Sequence, residues 1–87
     1  MSSYTVYWTE NEEVSGALPD RYTLIEAANQ AARAWLLATA GDRPYVERAV
    51  ATHADGRIDL AFDFAGRDGV YGDPMGGGFI AAWVEEE

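Results

Sequence analysis

The sequence predicts an α+β fold: an antiparallel sheet of about four strands, in the order β-α-β-β-β, with one helix packed on one face. Three observations carry this expectation. Residues 4–9 alternate and are rich in aromatic and β-branched side chains, residues 24–40 are Ala-rich with no internal Gly or Pro, and two further alternating segments flank Asp55-Gly56. A chain of 87 residues has room for one core, so residues 1–87 are expected to form a single domain. Hydrophobic residues at 48% and eleven aromatics can offset the entropy of ordering the chain by burial. Cysteine is absent, which leaves packing rather than disulfides to hold the fold.

In the first strand, residues 4–9, Tyr4, Val6 and Trp8 share one face. Residues 10–20 interrupt the alternation with Glu10, Glu12, Glu13, Gly16 and Pro19, and a loop is expected there. Thr23 and Glu26 have the spacing of a capping box, in which hydroxyl and carboxylate satisfy the free backbone donors of a first helical turn. Leu24, Ala28, Ala31, Ala32, Trp35, Leu36 and Thr39 then fall on one side of the helix, and the small Ala side chains let its axis approach a sheet closely. Glu26, Gln30 and Arg33 make the wet side, with Leu37 an exposed exception, and Gly41 supplies the stop.

Asp42-Arg43-Pro44 reads as a turn, followed by a hairpin of residues 45–54 and 57–64 around Asp55-Gly56, a pair that tolerates the positive φ angles of a type I′ turn. A two-residue loop pairs residues whose numbers sum to 111. Arg48 then faces Asp63 and Thr52 faces Asp59 on the outer face, while Ala49 meets Phe62, Ala51 meets Leu60 and His53 meets Ile58 on the core side. Residues 66–78 hold six of the nine glycines and form a long loop, and residues 79–84 form a last strand whose buried face the pattern leaves open.

Little in the chain supports catalysis or cofactor binding. Gly76-Gly77-Gly78 is not followed by the Lys and Ser or Thr of a phosphate-binding loop, and Asp68 and Asp73 would repel a phosphate, so this segment reads as a connection or a partner-contacting loop. Asp55-Gly56-Arg57-Ile58-Asp59 resembles the middle of a calcium loop, but Ala51, His53 and Phe62 stand where ligands belong. His53 is the one histidine and is expected as a packing residue. Asp59 and Asp63 are four residues apart on a strand, about 13 Å, too far to share a proton. No catalytic residue, metal or cofactor is expected, and the chain is read as a non-enzyme.

The charge balance is more informative. Fifteen acidic residues against six Arg and no Lys give a net charge of −9, which disfavours a bare nucleic acid or an anionic membrane as partner. The N-terminus lacks the charge and apolar run of a signal peptide, no segment approaches the roughly 18 apolar residues of a membrane span, and a cytoplasmic location is expected. The acidity concentrates in the second half. Asp55, Asp59, Asp63, Asp68 and Asp73, with Tyr71 as an anchor, are the candidate partner-binding residues, offering spaced negative charges to a basic protein surface. The competing reading is a solvated face that keeps the protein soluble.

The aromatic first strand Tyr4-Thr5-Val6-Tyr7-Trp8, the Ala-rich helix of residues 23–40 and the following hairpin and strand resemble, in size, charge and order of elements, several small anti-CRISPR proteins encoded by phages. The resemblance implies a stoichiometric, DNA-mimicking inhibitor that acts in the host bacterial cytoplasm, docking on a subunit of a CRISPR surveillance complex and blocking target DNA. The alternative is a small structural or accessory domain that dimerises through its sheet, with Tyr7, Val50 and one face of residues 79–84 as apolar contacts.

Overall fold

The chain folds into six elements: β1 (Tyr4–Glu10), β2 (Val14–Tyr22), α1 (Ile25–Ala40), β3 (Tyr45–Thr52), β4 (Ile58–Phe64) and β5 (Phe79–Glu86). This description comes from a computed structural model and covers residues 2–67, 69–71 and 76–87. The strands form one antiparallel sheet in the order β2-β1-β5-β4-β3, with α1 on one face. The α+β class and the helix-on-sheet arrangement are those expected from the sequence. The sheet has five strands rather than about four.

The additional strand is β2, where a loop over residues 10–20 was expected. Asn11 and Glu12 both take positive φ, 55° and 61°, and the Glu13 N–H closes the turn on the Glu10 carbonyl at 3.0 Å. Glycine and proline argue against an inner strand, but β2 lies at the sheet edge, where they are tolerated. Gly16 is also required for packing: it pairs with Trp8, and a Cβ there would stand 2.8 Å from the Trp8 indole that lies over it.

The helix begins one residue later than the capping box requires. Leu24 is the N-cap, extended at φ −118° and ψ 134°, and no side chain caps the first turn. Glu26 therefore occupies the second helical position, out of reach of the reciprocal bond, although its charge still suits the positive end of the helix. Leu24 is 66% exposed and Thr39 is exposed, so neither belongs to the buried stripe. That stripe is Ala28, Ala32, Leu36 and Ala40, with Ala31 and Trp35 packed beside it. Gly41 ends the helix as expected, at φ 57° with its N–H on the Leu37 carbonyl.

The β3–β4 hairpin forms with a different register. His53 and Arg57 pair (N–H to carbonyl, 2.8 Å), and the Gly56 N–H bonds to the His53 carbonyl at 3.0 Å with Gly56 at φ 102°. The loop thus has three residues, Ala54, Asp55 and Gly56, ending in a left-handed glycine. A bulge between Ala49 and Ala51 adds a second one-residue shift. Thr52 pairs with Ile58, Ala51 with Asp59, Ala49 with Leu60 and Arg48 with Ala61, instead of the pairs summing to 111. Because the two shifts together move the register by two, side-chain parity is restored before Ala49. Arg48 still shares a face with Asp63, whereas His53, between the shifts, lies on Asp59's face and not on the core side beside Ile58.

The core lies between α1 and the facing side of β1, β5 and β4. Val6, Phe62, Phe64, Ile80, Ala82 and Val84 meet the alanine stripe, Trp8 stacks on Trp35 with ring centres 5.1 Å apart, and Tyr45 stacks on Phe62 at 4.0 Å. As expected, Tyr4, Val6 and Trp8 share the helix face. The buried face of β5 carries Ile80, Ala82 and Val84. Phe79, Ala81 and Trp83 point to the other side.

Candidate functional site

α1 covers one face of the sheet only. On the opposite face, strand alternation and register set side chains in rows that run across the strands. Ser15, Thr9, Ala81, Ala61 and Arg48 are successive register partners from β2 through β1, β5 and β4 to β3. All but the last are small. The neighbouring row contains Ala17, Tyr7 and Trp83; the β4–β5 ladder ends at Leu60 and Ala82, and beyond it Asp59, paired with Ala51, lines the same cavity as Trp83. On the other side stand Phe79, Asp63 and Val46. A row of small residues between two rows of large ones is a trench across the sheet.

This trench is a cavity of about 390 Å³ with Thr9, Ser15, Ala61 and Ala81 on its floor, Trp83, Asp59 and Phe79 in its walls, and Glu12 and Arg48 toward its two ends. Trp83 and Tyr7 stack with centroids 6.1 Å apart and planes 19° from parallel. Thr5, Thr9 and Asp63 are buried although no helix covers them, because the larger neighbouring side chains close over them. The Thr9 hydroxyl donates to the Val14 carbonyl at 3.1 Å, and no buried side-chain polar atom lacks a partner among the described residues.

The three hairpin aspartates each have a partner within the hairpin. Asp63 is 8% exposed and accepts two bonds from the Arg48 guanidinium, Nε to Oδ2 at 2.8 Å and Nη2 to Oδ1 at 3.1 Å. The hydrogen bond to Asp63 raises the pKa of Arg48. Asp59 Oδ1 meets His53 Nε2 at 3.1 Å. Asp55, at the hairpin tip, accepts from the Arg57 backbone N–H at 3.1 Å and from Arg57 Nε at 2.8 Å, and the backbone bond leads the set of interactions that hold its carboxyl below the usual range. Among the described residues Glu10, Glu12 and Glu13, in and beside the β1–β2 turn, have no cation within ion-pair distance.

Of the residues singled out from the sequence, Asp59 and Asp63 share the open face but stand on opposite sides of the trench, and Asp63 is buried against Arg48 rather than offered to a partner. Asp55 sits at the hairpin tip, and Tyr71 is exposed on the β4–β5 connection, where it bridges Ala65. Asp68 and Asp73 lie outside the described residues. Sequence reasoning had noted Tyr7 and Val50 only as apolar contacts and had not singled out Glu12, Ser15, Thr9, Ala61, Ala81 or Trp83 for the site. One signal was available: residues 79–84 are apolar at both parities, the pattern of a strand flanked on both sides.

A separate gap of about 330 Å³ lies between α1 and β3, lined by Ala32, Ala49 and Leu60, with the Arg33–Glu47 ion pair among its lining residues. It exists because α1 leans mainly on β5 and β1, so β3 overhangs. Among the described residues no three His, Asp or Glu side chains converge to hold a metal ion, and no helix is long and apolar enough to cross a membrane. Comparison with protein families, curated proteins and solved structures finds no match to this chain.

Proposed function

We propose that this chain is a non-enzymatic protein-binding domain that holds an extended segment of a basic partner in the trench across its open sheet face. The observation that carries the reading is the trench itself: a floor of small residues drawn from four strands, aromatic walls and carboxylates at the margin. Trp83 and Phe79 are four residues apart on β5, so the walls stand about 13 Å apart at the backbone. Across five strands spaced about 4.8 Å apart the face is about 19 Å wide, the span of about six extended residues. A net charge of −9 steers association toward a cationic surface.

The resemblance to small phage-encoded anti-CRISPR proteins narrows this reading to a stoichiometric inhibitor that occupies a basic subunit of a CRISPR effector in the host cytoplasm and keeps target DNA out. Titrating the protein and its Ala81→Trp variant, which fills the trench floor, into purified effectors tests it. Inhibition of DNA binding by the wild type and its loss in Ala81→Trp is the expected result. Undiminished DNA binding across effector types removes the inhibitor. Tyr7, Val50, Phe79 and Trp83 also lie on one face, which favours a sheet-to-sheet homodimer as the second reading, opposed by bringing −9 against −9. Sedimentation at two concentrations decides between them: a strict monomer leaves the trench to a different partner.

A further inference from the structure

We propose that the trench selects an arginine side chain of its partner, seated between the free face of the Trp83 ring and the Asp59 carboxylate; this rests on the docking reading above. Tyr7 occupies the β1 side of Trp83. The other side of the indole is the β4 side, where Trp83 and Asp59 line the same cavity. A cation resting on the indole in this cavity shares it with the Asp59 carboxylate.

Asp59 retains binding capacity because His53 engages Oδ1 alone, leaving Oδ2 as an acceptor on a side chain that is 27% exposed. The chain's own nearby cations are committed, Arg48 to Asp63, and Arg57 to Asp55 and, through Nη1 at 3.3 Å, to the Val84 carbonyl. Glu12 adds a second negative charge at the β2 end of the trench. A planar guanidinium, weakly hydrated and able to stack while donating in its plane, fits this combination better than a compact ammonium. The chain makes the same kind of contact internally, with the Arg43 guanidinium 3.8 Å above the Phe64 ring.

The test uses three eight-residue peptides of alternating valine and threonine that carry one central arginine, lysine or citrulline, titrated into the full chain and followed by amide and indole NMR shifts. The arginine peptide is expected to bind about tenfold more tightly than the neutral citrulline peptide, the size of a partly desolvated cation–π contact, with the lysine peptide between the two. Trp83→Leu and Asp59→Asn are each expected to erase the preference, with Trp83→Phe retaining part of it. Three peptides that bind the open face equally overturn the arginine slot and leave the docking reading standing. Peptides that shift no open-face resonance overturn both.

Discussion

Arg48 and Asp63 form an unequal pair, and removing one partner should cost far more than removing the other. The Asp63 side chain is 12% exposed and the Arg48 side chain 50% exposed. In Arg48→Met the aliphatic stem survives, but Asp63 loses two charge-assisted bonds while its carboxylate stays in the sheet. Hydrogen bonds to charged groups contribute about 1.5–3 kcal/mol, and stranding a fully buried charge costs about 3–5 kcal/mol. The half-exposed guanidinium is screened, so about 2–3 kcal/mol is the appropriate loss. Asp63→Asn instead leaves an amide able to accept one bond and an arginine free to turn into water, a loss of about 1 kcal/mol. A domain of this size has about 4–13 kcal/mol of stability in total, and each kcal/mol moves Tm by about 4–8 °C. Urea and thermal unfolding of both single variants and of the Arg48→Met/Asp63→Leu double variant measure the asymmetry directly. The double variant should recover most of what Arg48→Met lost. Equal losses in the two single variants, or a double variant no better than Arg48→Met, would show that burial of Asp63 is not what makes the pair matter.

Three further outcomes follow from the same structure. Leu24→Asp should stabilise the protein by about 1 kcal/mol in urea unfolding, because the N-cap lacks a side-chain acceptor and Leu24 has little packing to lose; no gain would place the helix start elsewhere. Gly77→Ala should cost more than Gly41→Ala, since a Cβ at Gly77 lands on the Phe64 and Ala65 backbone whereas at Gly41 it meets open space and only the backbone angles, φ 57° and ψ −126°, oppose it by about 1–3 kcal/mol; the reverse order in unfolding experiments contradicts this. The Tyr7 hydroxyl donates to Glu87 Oε1 at 2.8 Å, which raises the tyrosine pKa and lowers that of the glutamate, so the bond's contribution is present from mildly acidic to mildly alkaline pH. It fades as pH rises through the raised tyrosine value and as it falls through the lowered glutamate value, and the stability gap between wild type and Tyr7→Phe should narrow at both extremes.

Much of the fold was legible because local chemistry and tertiary packing agree over most of the chain. The alanine stripe of α1, the Gly41 stop and the face shared by Tyr4, Val6 and Trp8 all follow from periodicity that the core then uses. The errors have physical causes. Val14–Tyr22 is an edge strand, so its Gly, Pro and charges are tolerated by a ladder satisfied on one side only, and the same residues read as a loop when no neighbour is known. The hairpin register failed by two residues because a three-residue loop and a bulge each shift the pairing by one. Neither has a sequence marker as strong as Asp55-Gly56 itself. Parity survived by cancellation, which is why Arg48 and Asp63 were correctly placed on one face while His53 was not.

The candidate site was hidden for a different reason. Its floor is one residue from each of four strands, Ser15, Thr9, Ala81 and Ala61, and its best aromatic wall is Trp83 beside Tyr7, separated by most of the chain. No spacing rule links these positions, since the trench runs perpendicular to the strands and exists only once the order β2-β1-β5-β4-β3 is known. The acidic pattern pointed instead to the hairpin, where Asp55 and Asp63 each pair with an arginine and add less to the outward field than their number implies. Glu12, expected in a loop, lies at the trench end with no cation within ion-pair distance among the described residues. A binding face built this way depends on register more than on composition. A substitution that alters a floor residue should change recognition even where it leaves charge and core untouched, whereas adding or removing a distant acidic residue should alter chiefly the rate of encounter.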